Sequence, residues 1–213
     1  MKKVFLLVLI FCLYANVVFA ASNTDVLIDY GIIHGDPDGN LRLSDAITRA
    51  EFTKVIVDAA SIATDANSAG QIFSDVPDSH WATNYIYEAY RNGIIVGMSE
   101  DIFSPDSPVT NEQSVKMIVC ALGYGIKADR MGGFPFAHMK IADELGILKG
   151  LDVTGSAPAT RGDVFTMIYN ALDIPLMMEV EQDIPSLSSV TIAIMDGNHG
   201  IPLVTFRTML ECK

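Results

Sequence analysis

The residues able to do chemistry are few, and their spacing decides what each could be. The run Asp36-Pro37-Asp38-Gly39-Asn40 has the flavour of a calcium loop. Setting Gly39 at the sixth loop position places His34 first and Asp45 last, whereas such a loop needs an acid first and usually Glu last. The match fails at His34. His34, His80, His138 and His199 are scattered without the spacing of metal ligands, so solvated or structural roles are expected. Asp143 and Glu144 are adjacent acids near Lys140, the pattern of a solvated helix face. There is no nucleophile elbow, no zinc-binding helix motif and no phosphate loop. The sequence predicts a protein that is not an enzyme, with no metal and no cofactor.

Charge narrows the partners. Among 213 residues, 14 are Lys or Arg and 26 are Asp or Glu, a net charge of −12. Phosphate backbones need clustered cations, so nucleic acid is excluded as a partner, as is a polybasic attachment to lipid. Lys2 and Lys3 precede an apolar run over residues 4–14, and Val18-Phe19-Ala20 puts small residues at the −3 and −1 positions. This is the layout of a secretory signal peptide cleaved after Ala20, leaving no membrane attachment. Leu9-Ile10-Phe11-Cys12 approaches a lipoprotein box, but Phe11 is too bulky for it. Cleavage removes two Lys and takes the charge to −14. Cys120 and Cys212 then remain: the first is expected as a buried thiol on an apolar helix face, the second is left open. Two cysteines make no disulfide framework.

The elements are organised by repetition. Gly31-Ile32-Ile33-His34-Gly35 recurs as Gly93-Ile94-Ile95-Val96-Gly97 and as Gly146-Ile147-Leu148-Lys149-Gly150. After each comes a second signature: Thr48-Arg49-Ala50-Glu51, Thr110-Asn111-Glu112-Gln113 and Thr160-Arg161-Gly162-Asp163. Gly and Thr are 17 residues apart in the first two copies and 14 in the third. Thr with Glu, Gln or Asp three residues on is a capping box, so each second signature opens a helix. Apolar residues follow at the fourth, seventh, eighth and eleventh positions: Phe52, Val55, Ile56, Ala59 in the first copy and Val164, Met167, Ile168, Ala171 in the third. The second copy has Ser114, Met117, Ile118 and Ala121. That stripe is one face of an amphipathic helix, and the repeated Ala predicts close approach around a shared axis. Helices over 80–92, capped by Asp78 or Ser79, and over 136–145 end at Gly93 and Gly146; a stub over 25–30 ends at Gly31. No such unit buries its apolar face alone, so the three must pack together.

Beyond residue 176 the pattern changes. Residues 177–189 read as an acidic, Pro-containing linker, and 190–195 with 201–207 alternate as two strands around Asp196-Gly197-Asn198-His199-Gly200, a hairpin signal. An isolated hairpin is marginal in water, so it either packs on the helices or begins a further domain.

In Ile47-Thr48-Arg49-Ala50-Glu51, in Phe73-Ser74-Asp75-Val76 running to His80-Trp81-Ala82, and in Asp38-Gly39-Asn40-Leu41-Arg42, the sequence resembles the S-layer homology (SLH) family, over about residues 25–176. The resemblance implies a mainly α fold in which three tandem helix-loop-helix repeats form a pseudo-threefold helical bundle, here followed by the small C-terminal β-hairpin. It further implies non-covalent binding of secondary cell-wall polysaccharide, often acidic sugars carrying a pyruvate ketal, in grooves between copies. The family's groove residues map to Arg49, Asp75 and Trp81, with Arg161 in the third copy. A guanidinium suits a sugar carboxylate, an indole face a sugar ring, and a carboxylate its hydroxyls. Asn111 stands where the second copy should have Arg, and Gly133-Phe134-Pro135-Phe136 replaces the Asp and Trp pattern in the third, so one intact groove and two degenerate ones are expected.

The resulting organisation is a signal peptide (1–20), three copies (21–64, 72–125 and 132–176) and a C-terminal segment (177–213). The expected protein is exported to the bacterial cell wall or cell surface and anchored there without catalysis, carrying a cargo domain or meeting a surface-layer protein. The other reading is a structural or protein-interaction role at the surface without glycan binding.

Overall fold

The computed structural model describes residues 22–65, 70–181, 190–194 and 204–212. The expected signal peptide (1–20) and His199 lie outside the described residues. The described chain is mainly helical. Three helices of eleven residues, α2 (Arg49–Ala59), α4 (Asn111–Ala121) and α7 (Arg161–Ala171), touch one another, and each carries a shorter helix. In chain order the shorter ones are α1 (Asn23–Asp29), α3 (Thr83–Arg91), α5 (Gly125–Arg130) and α6 (Phe136–Glu144).

Each long helix starts where the sequence says it must. Thr48, Thr110 and Thr160 are N-caps whose hydroxyls accept from the amides of Glu51, Gln113 and Asp163. The two amides nearest each N-terminus find carbonyls in another part of the chain. Arg49 and Ala50 donate to Ser107 and Pro105, Asn111 and Glu112 to Ala157 and Gly155, and Arg161 and Gly162 to Asp45 and Leu43. The first three amides of each helix are thereby met, and each helix start is stitched to a loop distant in sequence. Just ahead of the caps, Val109 donates to Ile47, Ala159 to Val109 and Ile47 to Ala159, at 3.0, 2.9 and 3.1 Å: a closed ring of three hydrogen bonds.

The predicted stripe lies in the core except at Ala121, the repeated alanine of the second copy, which is half-buried. Phe52, Ile56, Ala59, Val164, Met167, Ile168, Ala171, Ser114 and Ile118 are fully buried. Ser114 is tolerated there because its hydroxyl donates back to the Thr110 carbonyl at 3.0 Å. The short helices end at Gly31, Gly93 and Gly146, all at φ between 68° and 79°, the left-handed geometry only glycine adopts without strain.

The helices pair across the chain. α3 packs on α2, α6 on α4, and the N-terminal α1 on the C-terminal α7. The first-described helix thus seals against the last long one, which closes the bundle.

Two expectations are corrected. The helix expected over 80–92 begins at Thr83, because the Thr83 hydroxyl donates to the carbonyls of Pro77 and His80 and His80 Nδ1 accepts from the Ala82 amide; Asp78 and Ser79 do not cap it. Most of the expected linker (182–189), the hairpin turn (195–200) and residues 201–203 lie outside the described residues, and the described remainder departs from the expectation. Val190–Ile194 (β2) is a strand, but it pairs antiparallel with Met177–Glu181 (β1) in the register Met177↔Ile194. Of the second expected strand, the described part does not pair: residues 204 and 205 lie in no strand, and Phe206 and Arg207 open the helix α8 (Phe206–Glu211). Thr205 and Thr208 form a capping box there, and Phe206 and Leu210, four apart, are buried; one-sided burial at helical spacing outweighs the strand-like alternation. Arg207 fastens α8 by a bidentate pair to Asp173 and a 3.2 Å bond to the Tyr30 hydroxyl.

Candidate functional site

Two grooves open beside the capped helices, and both are assembled to one plan. The first, about 240 Å³, is lined by Arg49, by the segment from Ile94 to Met98, by Gln113 and Lys116 of α4, and by Phe134. The second, about 140 Å³, is lined by Arg161, by Ile32, Ile33 and His34, by Glu51 and Lys54 of α2, and by Trp81. In each, the Arg follows a capping Thr, the ring stands two residues ahead of a short helix, and the Gly-bounded loop and capped helix come from a different part of the chain: the following one for Arg49, the N-terminal one for Arg161. Trp81 and Phe134 are both about half exposed, at 54% and 45%.

The arginines form the floors. Arg49 is 5% exposed; its Nε donates to the Phe103 carbonyl at 2.8 Å, its Nη2 to the Val96 carbonyl at 3.1 Å, and its guanidinium lies 4.4 Å from the centre of the Phe103 ring. Burial holds this guanidinium below the ordinary arginine value, and the Asp75 charge pulls the other way. Arg161 repeats the arrangement: Nε donates to the Leu41 carbonyl at 2.8 Å, and Nη1 lies 3.5 Å from Glu51. Asn111 occupies the third such position. Its Nδ2 reaches the Thr154 carbonyl only at 3.4 Å, and its buried Oδ1 has no partner.

The residues expected to share one groove are divided between places. Arg49 and Trp81 line different grooves, because α3 packs on α2 and carries Trp81 to the side facing His34 and Arg161. The Asp75 carboxylate accepts from the amides of Phe103 and Ser104 at 2.9 and 2.7 Å, and the turn it fixes holds Ser104 at φ +59°. Asp75 therefore shapes the loop whose carbonyl holds Arg49. The groove of Arg161, expected to be degenerate, is open and contains the Trp. Phe134, expected to break the pattern, supplies the ring of the first groove. Lys116 was missed, yet a signal existed: Lys54 and Lys116 both stand six residues after a capping Thr.

Beneath the first groove, His138 is 1% exposed, packs edge-on to Phe134 at 6.1 Å, and has no partner for Nδ1. Burial and then Lys116 depress its pKa, against Asp129 and the Gly133 backbone. Cys120 is half-buried and free, and burial pushes its thiol up to about 11. Among the described residues no group of three His, Cys, Asp or Glu could hold a metal ion, and no helix is long and apolar enough to cross a membrane. The Asp36 carboxylate accepts from the amides of Asp38 and Asn40, a turn.

Capped helices whose N-terminal amides are tied to loops from elsewhere in the chain, with Arg-floored grooves beside them, define a mainly helical module. Residues 26–53 and 72–113 match the model of the S-layer homology domain, and the chain is an SLH-domain protein. It is 34% identical over 153 residues to the "Middle cell wall protein" of Brevibacillus brevis, which covers 71% of this chain and 14% of that protein. It is 28% identical over 211 residues to the "Surface-layer 125 kDa protein" of Lysinibacillus sphaericus, covering 91% of this chain and 17% of that one. It is 31% identical over 165 residues to "Exoglucanase XynX" of Acetivibrio thermocellus, with 70% and 15% covered. The chain thus spans less than a fifth of the length of each of these relatives.

Proposed function

We propose that this chain is a secreted, non-catalytic anchor of the bacterial cell surface, in which three tandem SLH copies form a pseudo-threefold bundle and hold secondary cell-wall polysaccharide in the grooves between copies. One observation carries the reading: two grooves are built to the same plan from different parts of the chain, each with a guanidinium floor, a cationic side wall and an exposed ring. A flat ring beside clustered donors is how a protein grips a sugar, which has one apolar face and a rim of hydroxyls. An exposed Trp has little to gain from solvent and much from such a face. The names of the relatives, a cell wall protein and a surface-layer protein among them, support the location. Arg49 and Arg161 set the floors, Trp81 and Phe134 stack on the sugar, and Asp75 acts one step back by fixing the turn under Arg49. A pyruvate ketal would supply the acid group, and a surface-layer protein or cargo domain would be the passenger.

The test is co-sedimentation of the chain with cell walls from its own source, against walls stripped of secondary polymer. Binding to intact walls only, weakened by Trp81→Ala and Phe134→Ala, is expected. Retention on stripped walls, or indifference to both substitutions, contradicts the reading.

A further inference from the structure

The two grooves share a plan but not a charge. In the second, each cation has its own acid: Arg161 lies 3.5 Å from Glu51, and Lys54 donates to Asp58 at 2.6 Å. The matching positions in the first groove are Gln113 for Glu51, three after the capping Thr, and Cys120 for Asp58, ten after it. Both carboxylates are gone. Gln113 still serves the capping box, accepting from the Thr110 amide at 3.1 Å, so the helix start does not suffer. Cys120 stays a neutral thiol, since burial raises its pKa. Lys116 is left with its ammonium 5.4 Å from the centre of the Phe134 ring and in no ion pair among the described residues. Asp75 balances the charge of Arg49 from behind the loop. The first groove therefore holds a cation in no ion pair beside a ring, with Asp129 as an acid in its surroundings, whereas in the second each cation has an acid in direct contact.

We infer that the grooves divide the ligand between them: the Arg49–Lys116–Phe134 groove takes a sugar bearing a negative charge, and the Arg161–Lys54–Trp81 groove takes a neutral sugar. The inference rests on the glycan-binding reading and assigns the ligand class at each of its sites. An ammonium already paired at 2.6 Å gives an incoming anion little, because the bound acid must first be displaced, whereas an unpaired one beside an apolar wall gives its full attraction. A carboxylate and a phosphate would satisfy Lys116 alike.

The test uses small probes, so it is independent of wall binding. The intact chain is titrated with methyl glucuronide, glucose 1-phosphate and methyl glucoside while backbone NMR shifts are followed at both grooves. At low salt, at least one anionic probe is expected to saturate at Met98, Gln113 and Lys116 about fivefold more tightly than the glucoside, with the preference lost at high salt and in Lys116→Gln. Which probe does so identifies the acid group. Gln113→Glu is a fold-preserving second variant, since Glu51 does the same capping in α2, and it should also erase the preference. Asp58→Asn should create one in the second groove by freeing Lys54. Equal affinity of all probes in the first groove, the same preference in both grooves, or no response of Lys116 to either anion overturns the inference. If the anion preference stands while wall co-sedimentation fails, the anchoring role is wrong and the charge assignment is not.

Discussion

Removing Arg49 should cost the bundle far more than the loss of a groove-lining side chain suggests. In Arg49→Ala, the carbonyls of Phe103 and Val96 lose charged donors at 2.8 and 3.1 Å, and the Phe103 ring loses a guanidinium at 4.4 Å. Bonds to charged groups contribute about 1.5–3 kcal/mol each, and a buried orphan keeps its desolvation penalty. The contact with the ring adds about 1 kcal/mol. Regained side-chain entropy returns up to about 2 kcal/mol, so the net loss is about 3–4 kcal/mol. Asn111 is the internal control. It has one bond, at 3.4 Å, and an Oδ1 without a partner, so Asn111→Ala should cost about 1 kcal/mol or less. Urea unfolding with an unchanged slope measures both, and the Arg49 variant should melt roughly 10 °C lower. Arg49→Lys should recover only part, because an ammonium cannot span both carbonyls as the planar fork does. If Arg49→Ala and Asn111→Ala cost the same, the floor residue is no tie between loops and the description of the groove is wrong.

Four further outcomes follow from particular contacts. His138 has its folded pKa below the unfolded value near 6.5, so its contribution to stability is present above that pH and is lost as pH falls below it; His138→Leu should flatten the stability profile between pH 7 and 5. Cys212 is exposed, while burial pushes the half-buried Cys120 thiol up to about 11, so iodoacetamide at pH 8 should label Cys212 first and Cys120 slowly, because Cys120 carries about 100-fold less thiolate than an ordinary cysteine. At Gly93 (φ +68°) an added Cβ would meet nothing, so Gly93→Ala should cost only the left-handed backbone penalty, about 1–2 kcal/mol by urea titration. Arg207→Ala removes the bonds to Asp173 and Tyr30 and should speed amide exchange in α8 while leaving α2, α4 and α7 protected, because a partly exposed pair contributes only about 1 kcal/mol.

What could be read from the sequence was local chemistry; what could not was the pairing of distant pieces. The three capping Thr residues, the glycine stops and the buried stripe were legible because each depends on residues within one or two turns. The groove contents were not. Nothing near Trp81 tells that α3 will lie on α2 and bring the indole to Arg161, since Arg161 reaches that groove only because the distant α7 also packs against α2. Phe134 was misjudged because it was compared by letter with Trp, where the geometry asks only for a ring two residues ahead of a short helix. The strand-like run before Glu211 misled for a related reason: Phe206 and Leu210 are buried together only as a helix.

The central claim is that two grooves of one plan hold the wall polymer, and the most direct measurement counts them. Oligosaccharides cut from the purified wall polymer would be titrated calorimetrically into the wild-type chain, into Trp81→Ala, into Phe134→Ala and into the double variant. Two sites are expected in the wild type, one in each single variant and none in the double variant, with circular dichroism unchanged throughout. Undiminished binding in the double variant would contradict the claim.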